Sequence, residues 1–243
     1  MDKLFYVEKV HDSVSYYQIY KEDYKRVVFL LHGLYGSPKD WLPLGKKLAL
    51  EGSLVVIPQA KWHGYKTPDN FEYLFSGNSF MNSMTIVMNS YIESIINILN
   101  YLITKESVNC KKVGVVGFSM GAYVSYLLPL FDQRFSAIIP ISGSPYFSDD
   151  KAIEHFKIDN LEIPESASIQ AGQKPELFVN KNILIMHNKD DQTVSYIGSH
   201  KFYEILKPMM KRGKVEMILQ EIGGHRFYSY FGDMIIDWFN KYL

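Results

Sequence analysis

A serine bracketed by two glycines stands where an apolar run gives way to a helical pattern. Residues 113–116 lead directly into Gly117-Phe118-Ser119-Met120-Gly121, and apolar positions at helical spacing follow. A strand that turns abruptly into a helix exposes the side chain at the turn, and flanking glycines avoid collisions of Cβ atoms with the backbone. Free N–H groups and the helix dipole also stabilise negative charge there. Ser119 is therefore either a helix cap or a nucleophile, and its partners must decide between the two.

A serine nucleophile needs a base, and the base needs a carboxylate that holds it in the right tautomer. Among seven histidines, His225 follows two glycines just past the last apolar run, although a surface loop histidine is the alternative interpretation. Two adjacent carboxylates, Asp190 and Asp191, come shortly after the apolar run at residues 183–186. Because each group follows a separate strand-like run, we expect them to meet at one edge of a parallel sheet.

An acyl-transfer site also needs two N–H donors for the oxyanion that develops during the reaction. The first candidate is the N–H of Met120, immediately after the serine. The second is the N–H of Leu34, in the turn HGLYG that follows the first apolar run. His32, at the start of that turn, is interpreted as a structural hydrogen-bonding residue rather than as a catalyst.

The elements that must position these residues alternate along the chain. Short runs rich in Val and Ile are typical of strands buried on both faces. They occupy residues 27–31, 54–57, 113–116, 137–141, 183–186 and 215–219. Apolar residues at helical spacing occupy residues 37–50, 92–103, 123–130 and 235–239. This alternation predicts an α/β fold with a mainly parallel sheet covered by helices on both faces, and the first 24 residues read as an antiparallel addition.

Residues 1–243 are predicted to form a single domain with two long connections. Residues 59–79 and 144–180 leave from the carboxyl ends of strands, where sheets of this kind bind ligands. A small cap or lid insertion is expected at about 144–180. Aromatic side chains are candidates for contact with substrate, with packing of the long loops onto the sheet as the alternative. The candidates are Tyr35, Trp62, Tyr146 and Phe147.

Composition narrows the class of partner. Twenty-six basic and 26 acidic residues give a net charge of zero, which argues against a nucleic-acid partner. The single cysteine, Cys110, allows no intrachain disulfide and is interpreted as a small apolar residue. Charges throughout the first ten residues are unlike a signal peptide, and no apolar run approaches the roughly 18 residues that span a bilayer. A cytoplasmic protein without a membrane span is expected, and no metal or organic cofactor is implied because no cluster of residues has ligand spacing.

Four segments make the chain resemble the α/β-hydrolase superfamily. "LLHGLYGSPKDW" is similar to its oxyanion turn, "VVIPQAKWHGYKTP" to the next strand and loop, "VGVVGFSMGAYVSYLL" to its nucleophile elbow, and "ILIMHNKDDQTVS" to the strand that precedes the acid. The resemblance implies an α/β-hydrolase fold with a twisted sheet of about eight strands. Matching Val194 to the family pattern selects Asp191 as the acid and leaves Asp190 as a solvated turn residue. The chain departs from that pattern at Asn188, Ser195 and Ala122.

The elbow and acid segments resemble dienelactone-hydrolase-like and prolyl-oligopeptidase-like small esterases. The implied function is hydrolysis of a carboxylic ester of small or medium size, with a small-molecule ester as the partner. Ser119 would attack the carbonyl carbon, His225 would transfer the proton, and Asp191 would orient His225. A thioesterase, a peptidase or a lyase with the same groups stays open. A hydrolase-fold binding protein without catalysis is the remaining alternative.

Overall fold

Eight strands form one sheet in the computed structural model, which describes residues 3–64, 67–106, 108, 113–147, 150–156, 158, 169–228 and 230–243. The strands are β1 Phe5–His11, β2 Val14–Tyr20, β3 Arg26–Leu31, β4 Ser53–Pro58, β5 Val113–Phe118, β6 Phe135–Ile141, β7 Asn182–Asn188 and β8 Lys214–Gln220. Their spatial order is β1-β2-β4-β3-β5-β6-β7-β8. Strands β1 and β2 are antiparallel to their neighbours, and the other pairs are parallel. This confirms the predicted fold class, including the antiparallel addition at the start of the chain.

Helices cover both faces of the sheet. The α-helices are α1 Leu42–Leu50, α2 Phe71–Leu74, α3 Phe80–Lys105, α4 Met120–Phe131, α5 Asp150–His155, α6 Tyr196–Leu206 and α7 Phe231–Tyr242. Short 3₁₀ helices occupy Pro38–Trp41, Gly77–Ser79, Ala171–Gln173, Pro175–Leu177 and Lys207–Met209. The buried side chains of α3, α4 and α6 form one core with the sheet, and those of α1 and α7 form a second core on the opposite face. Burial of the central strands from both sides explains their uninterrupted apolar runs.

Local signals place the first helical segment. The Ser37 side chain accepts a hydrogen bond from the N–H of Lys39, and the Asp40 carboxylate accepts one from the N–H of Ser37 at 2.7 Å. This reciprocal cap starts a 3₁₀ turn that continues into α1, so the single helix predicted at 37–50 is a capped turn followed by a helix. The cap fixes the exit of the chain from the turn that carries Leu34.

Helix α3 is much longer than the segment predicted at 92–103. By length and composition alone it could cross a bilayer. In the structure it is a core helix, because Val87, Ile95 and Leu99 are completely buried in the core that α3 forms with the sheet. Its first three turns come directly after the long connection that follows β4. They bring several methionines close to the end of β5.

Part of the insertion between β6 and β7 lies against α3 and α4. Phe156 stacks on Phe80 with ring centroids 4.1 Å apart, and Phe147 lies parallel to Tyr123 at 6.1 Å. Residues 148–149, 157 and 159–168 of the predicted cap lie outside the described residues, as does Cys110. The described part of the insertion therefore forms one wall beside the end of β5.

Candidate active site

The turn between β5 and α4 has the geometry of a nucleophile elbow. Ser119 has φ +54° and ψ −117°, a left-handed conformation that is rare for a residue with a side chain. A Cβ at Gly117 would overlap the carbonyl oxygen of Gly121, and a Cβ at Gly121 would overlap that of Leu31. Both glycines are therefore required by the close approach of α4 to β5 and β3. The Ser119 side chain makes no capping hydrogen bond to α4, which removes the interpretation of this serine as a plain helix cap.

The hydroxyl of Ser119 instead faces His225. The distance from Ser119 Oγ to His225 Nε2 is 2.8 Å, although 106 residues separate the two in the chain. His225 lies in the loop between β8 and α7, and the ring of Phe118 lies 5.0 Å from its ring. The other ring nitrogen, Nδ1, is 2.8 Å from Asp191 Oδ2. With the proton on Nδ1, His225 donates to the carboxylate and accepts from the hydroxyl, as a general base must.

Asp191 is completely buried at the end of β7. Its Oδ1 accepts hydrogen bonds from the N–H groups of Thr193 and Val194, each at 2.9 Å, and its Oδ2 faces His225. Burial alone would raise the pKa of Asp191, but hydrogen bonds with His187, His225 and Val194 outweigh it and hold the pKa well below its ordinary value. The carboxylate is thus kept ionised and fixed in orientation beside the imidazole.

Asp190 lies in the turn after β7 and is partly exposed, but it also has a structural contact that the sequence did not indicate. Its Oδ1 accepts hydrogen bonds from the N–H groups of Gly223 and Gly224, at 2.8 and 2.7 Å. These bonds lower the pKa of Asp190 below its ordinary value. Asn188, which is buried, donates from its side chain to the carbonyl of Gly224 at 2.7 Å. The two side chains hold the backbone immediately before His225, a role that sequence reasoning missed.

The two predicted oxyanion donors lie beside the serine. Met120 is the first residue of α4, so its N–H has no acceptor within the helix. Leu34 lies in a turn closed by a hydrogen bond from the N–H of Gly36 to the carbonyl of Gly33. That hydrogen bond does not use the N–H of Leu34. A Cβ on Gly33 would lie 3.2 Å from that of Ser119, so the turn approaches the elbow closely.

His32 has the structural role that was predicted for it. The ring is 1% exposed, donates from Nδ1 to the carbonyl of Gly33 and accepts at Nε2 from the N–H of Ala60. Burial lowers its pKa to about 3, so the ring stays neutral and this pattern of one donor and one acceptor is stable. His32 therefore fixes the start of the turn that carries Leu34, and it connects that turn to the segment after β4.

A small apolar cavity of about 40 Å³ opens at Ser119. Five parts of the chain line it: the turn after β3, one face of α3, the elbow with the start of α4, the described part of the insertion, and the segment between β7 and α6. The lining consists of Leu34, Phe80, Met81, Met84, Met88, Ser119, Met120, Tyr123, Phe147, Ile153, Phe156, Ile158 and Val194. No charged side chain lines the cavity within the described part of the chain. An apolar group attached to the reacting carbonyl would fit such an environment.

Of the four aromatic residues predicted to contact substrate, Phe147 lines this cavity. The other three pack elsewhere in the described structure. Tyr35 is 61% exposed with its ring against Phe71, Trp62 packs edge-on against Phe75, and Tyr146 donates a hydrogen bond to the carbonyl of Gly172. None of these three residues lines the cavity at Ser119, and contact between them and substrate stays a prediction.

Sequence reasoning also missed the contribution of α3 to the cavity. Met81, Met84 and Met88 follow helical spacing, which from sequence indicates only a core face. Within the described residues, no group of three or more His, Cys, Asp or Glu side chains could hold a metal ion.

Comparison with known proteins agrees with this geometry. The sequence pattern of the prolyl oligopeptidase family matches residues 76–243, which include Ser119, Asp191 and His225. The chain belongs to the prolyl oligopeptidase family. It is thus a serine hydrolase with the α/β-hydrolase fold, and the predicted resemblance is confirmed. A comparison with curated proteins finds no match.

Solved structures show the same fold at low sequence identity. TT1662 from Thermus thermophilus superposes with a TM-score of 0.76 at 17% identity, over 98% of this chain and 97% of that one. The esterase Pf2001 from Pyrococcus furiosus gives 0.69 at 17% identity, over 99% and 93%. An acylaminoacyl peptidase from Pyrococcus horikoshii gives 0.73 at 15% identity, over 100% of this chain and 42% of its own. Each likeness covers nearly the whole of the present chain.

Proposed function

We propose that the protein hydrolyses carboxylic esters through Ser119, His225 and Asp191. One observation carries the proposal: an unbroken chain of hydrogen bonds runs from the buried carboxylate through the imidazole to a serine hydroxyl at the mouth of an apolar cavity. Each member sits in the orientation that its role requires, with the acceptor nitrogen of the ring toward the hydroxyl.

In the first half of the reaction, Ser119 Oγ attacks the carbonyl carbon while His225 Nε2 takes the hydroxyl proton. Asp191 stays ionised, because its folded-state pKa is low, and stabilises the imidazolium that forms. The N–H groups of Leu34 and Met120 bind the oxyanion. His225 then returns its proton to the departing alcohol, and the acyl group remains on Ser119. In the second half, water attacks the acyl-enzyme with His225 again as the base, which releases the acid and restores Ser119.

Ester hydrolysis is favoured over peptide hydrolysis by the lining of the cavity. The described lining is apolar apart from Ser119 and the hydroxyl of Tyr123, and it offers no charge to a peptide terminus. The structural relative Pf2001 is an esterase by name, which supports the same choice. Membership of the prolyl oligopeptidase family favours one second candidate, a peptidase that uses the same three groups.

Two measurements test the proposal. A fluorophosphonate should attach to Ser119, located by mass spectrometry of the tryptic peptide. In a substrate panel, kcat/KM for p-nitrophenyl octanoate should exceed that for an N-acyl-aminoacyl p-nitroanilide by at least about tenfold, because the ester alone places an apolar chain in the cavity. Octanoyl-coenzyme A in the same panel measures thioesterase activity.

The outcomes separate the alternatives. Faster cleavage of the anilide would make the protein a peptidase, and faster cleavage of the thioester would make it a thioesterase. Failure of the reagent to modify Ser119 in folded wild-type protein would contradict any hydrolase mechanism based on that residue and would support a binding protein.

Replacement of Asp190 should reveal its part in positioning His225. In Asp190→Ala the N–H groups of Gly223 and Gly224 lose their common acceptor, and the loop that carries the imidazole is released. We expect kcat to fall by roughly ten- to a hundredfold with little change in KM, because a small displacement of a catalytic group lowers the rate of the chemical step. Steady-state kinetics on p-nitrophenyl octanoate provide the measurement.

Asp190→Asn is the matched control for that variant. Its amide oxygen can accept the same two hydrogen bonds without a negative charge, so it should recover most of the lost kcat. Equal losses in the Ala and Asn variants would show that the charge matters and the loop contact does not. A large rise in KM in either variant would point to a role in binding instead.

A further inference from the structure

A second apolar groove adjoins the cavity at Ser119. It lies between the outer parts of α3 and α4 and is lined principally by Met88, Ile92, Ile96, Leu127, Phe131 and Phe147. Phe131 is 52% exposed, so the groove is open to solvent at that residue. The exposed side chains of Asn89 and Glu93 give the groove a polar margin.

The groove and the cavity share two wall residues. Met88 and Phe147 line both spaces, so the cavity and the groove adjoin at these two side chains. Met88 is 2% exposed, and Phe147 is partly buried and stacked on Tyr123. A methionine side chain is unbranched and changes rotamer at low cost, which suits it to a boundary that an apolar chain must pass.

Apolar side chains on the two helices line first the cavity and then, further from the serine, the groove. On α3, Met84, Met88, Ile92 and Ile96 recur at spacings of one helical face, and the first two line the cavity while the last two line the groove. From Met84 to Ile96 the helix rises about 18 Å at 1.5 Å per residue. The same arrangement is found on α4, where Tyr123 lines the cavity and Leu127 and Phe131 line the groove.

We propose that this path, the acyl route, receives a medium- or long-chain acyl group. The carbonyl would lie at Ser119, the first carbons in the cavity, and the distal carbons would pass between Met88 and Phe147 into the groove. This inference rests on the proposed ester hydrolysis and names its substrate class. A flexible hydrocarbon fits, because Met88 and Phe147 are apolar and most of the lining residues on both sides of them are apolar as well.

Inactivation by fluorophosphonates of two lengths tests the acyl route without depending on the natural leaving group. Ser119 Oγ forms a bond to phosphorus, fluoride leaves, and His225 takes the hydroxyl proton. Wild-type protein should react faster with a dodecyl than with a methyl fluorophosphonate. In Met88→Trp, which fills the boundary, we expect the ratio of the dodecyl to the methyl rate constant to fall at least about tenfold, because the longer chain loses its buried contacts.

Because Met88 is buried, Met88→Trp could also disturb the fold, and a second substitution in the open groove tests the acyl route independently. Phe131→Ser removes an exposed wall of the groove and should lower the same ratio about threefold. Ile86→Ser is its matched control, because Ile86 is 45% exposed on α3 and lines neither space. Both rate constants should stay at their wild-type values in that control.

Unchanged ratios in Met88→Trp and Phe131→Ser, or no preference of the wild type for the dodecyl reagent, would overturn the acyl route. The methyl reagent would still modify Ser119 in that case, so the proposed hydrolase activity would stand. If neither reagent modified Ser119 in wild-type protein, the proposed function would fail together with the acyl route.

Discussion

Replacement of Ser119 by alanine should lower kcat on p-nitrophenyl octanoate by at least about 10³-fold. The substitution removes only the hydroxyl that lies 2.8 Å from His225 Nε2 and keeps the Cβ atom that the elbow accommodates. Ser119 supplies the hydroxyl that bonds to His225 Nε2 in the described part of the chain, so acyl transfer to the protein should stop. Initial rates at saturating substrate, together with fluorophosphonate labelling, measure the loss.

The fold should survive this substitution. Alanine has the same backbone preferences as serine at φ +54°, and the hydroxyl caps no helix, so the unfolding midpoint should stay near that of the wild type. Ser94→Ala is a suitable control, since its hydroxyl bonds only to the carbonyl of Ser90 within α3. A Ser119→Ala protein that kept the wild-type rate would show that another residue is the nucleophile.

The architecture could be predicted because burial on both faces forces uninterrupted apolar runs. Strands β3 to β7 carry such runs, and their alternation with helical patterns leaves few arrangements other than a parallel sheet. The start of α3 could not be placed in the same way. Its first turns mix Ser, Asn and Thr with apolar residues, and their buried side depends on an insertion that arrives 60 or more residues later.

Convergence of the three polar side chains followed from chain order and from their places at the ends of strands. The choice between Asp190 and Asp191 did not, because adjacent residues at a strand end point to different partners and only the family resemblance selected one. The structure shows that the two carboxylates have different partners. Asp191 turns inward to His225, whereas Asp190 binds the backbone before it. Every residue except proline has a backbone N–H group, so no sequence pattern could reveal that Asp190 accepts hydrogen bonds from the backbone before His225.

Residue type was a poor guide to the cavity. Large aromatic side chains were predicted to contact substrate, yet Trp62 and Tyr146 contact residues of their own long connections and do not line the cavity. Much of the cavity wall comes instead from methionines on α3, whose helical spacing predicts a core face and nothing more. A core face becomes a binding surface only where the opposing element leaves a gap, and that depends on tertiary packing.

Replacement of Asp191 by asparagine should lower kcat/KM by about 10³- to 10⁴-fold with the fold retained. The amide oxygen can still accept from the N–H groups of Thr193 and Val194, but the amide nitrogen would face His225 Nδ1. A donor there favours the tautomer with its proton on Nε2, which cannot accept the proton of Ser119. Kinetics on p-nitrophenyl octanoate measure the loss, and Asp237→Asn, an exposed change on α7, should keep the wild-type rate.

The same variant should alter the pH dependence of stability in a defined direction. The pKa of Asp191 is lower in the folded protein than the value of about 3.9 expected for the unfolded chain. Below that pH the unfolded state binds a proton that the folded state does not, so the free energy of unfolding falls as the pH falls. The carboxylate's contribution is complete above about pH 5 and shrinks in acid, so the stability difference between wild type and Asp191→Asn should decrease from pH 6 to pH 3 in urea titrations. A difference that stayed constant or widened in acid would mean that the buried carboxylate is not stabilised in its charged form, and His225 would then lack the fixed negative charge that the mechanism requires.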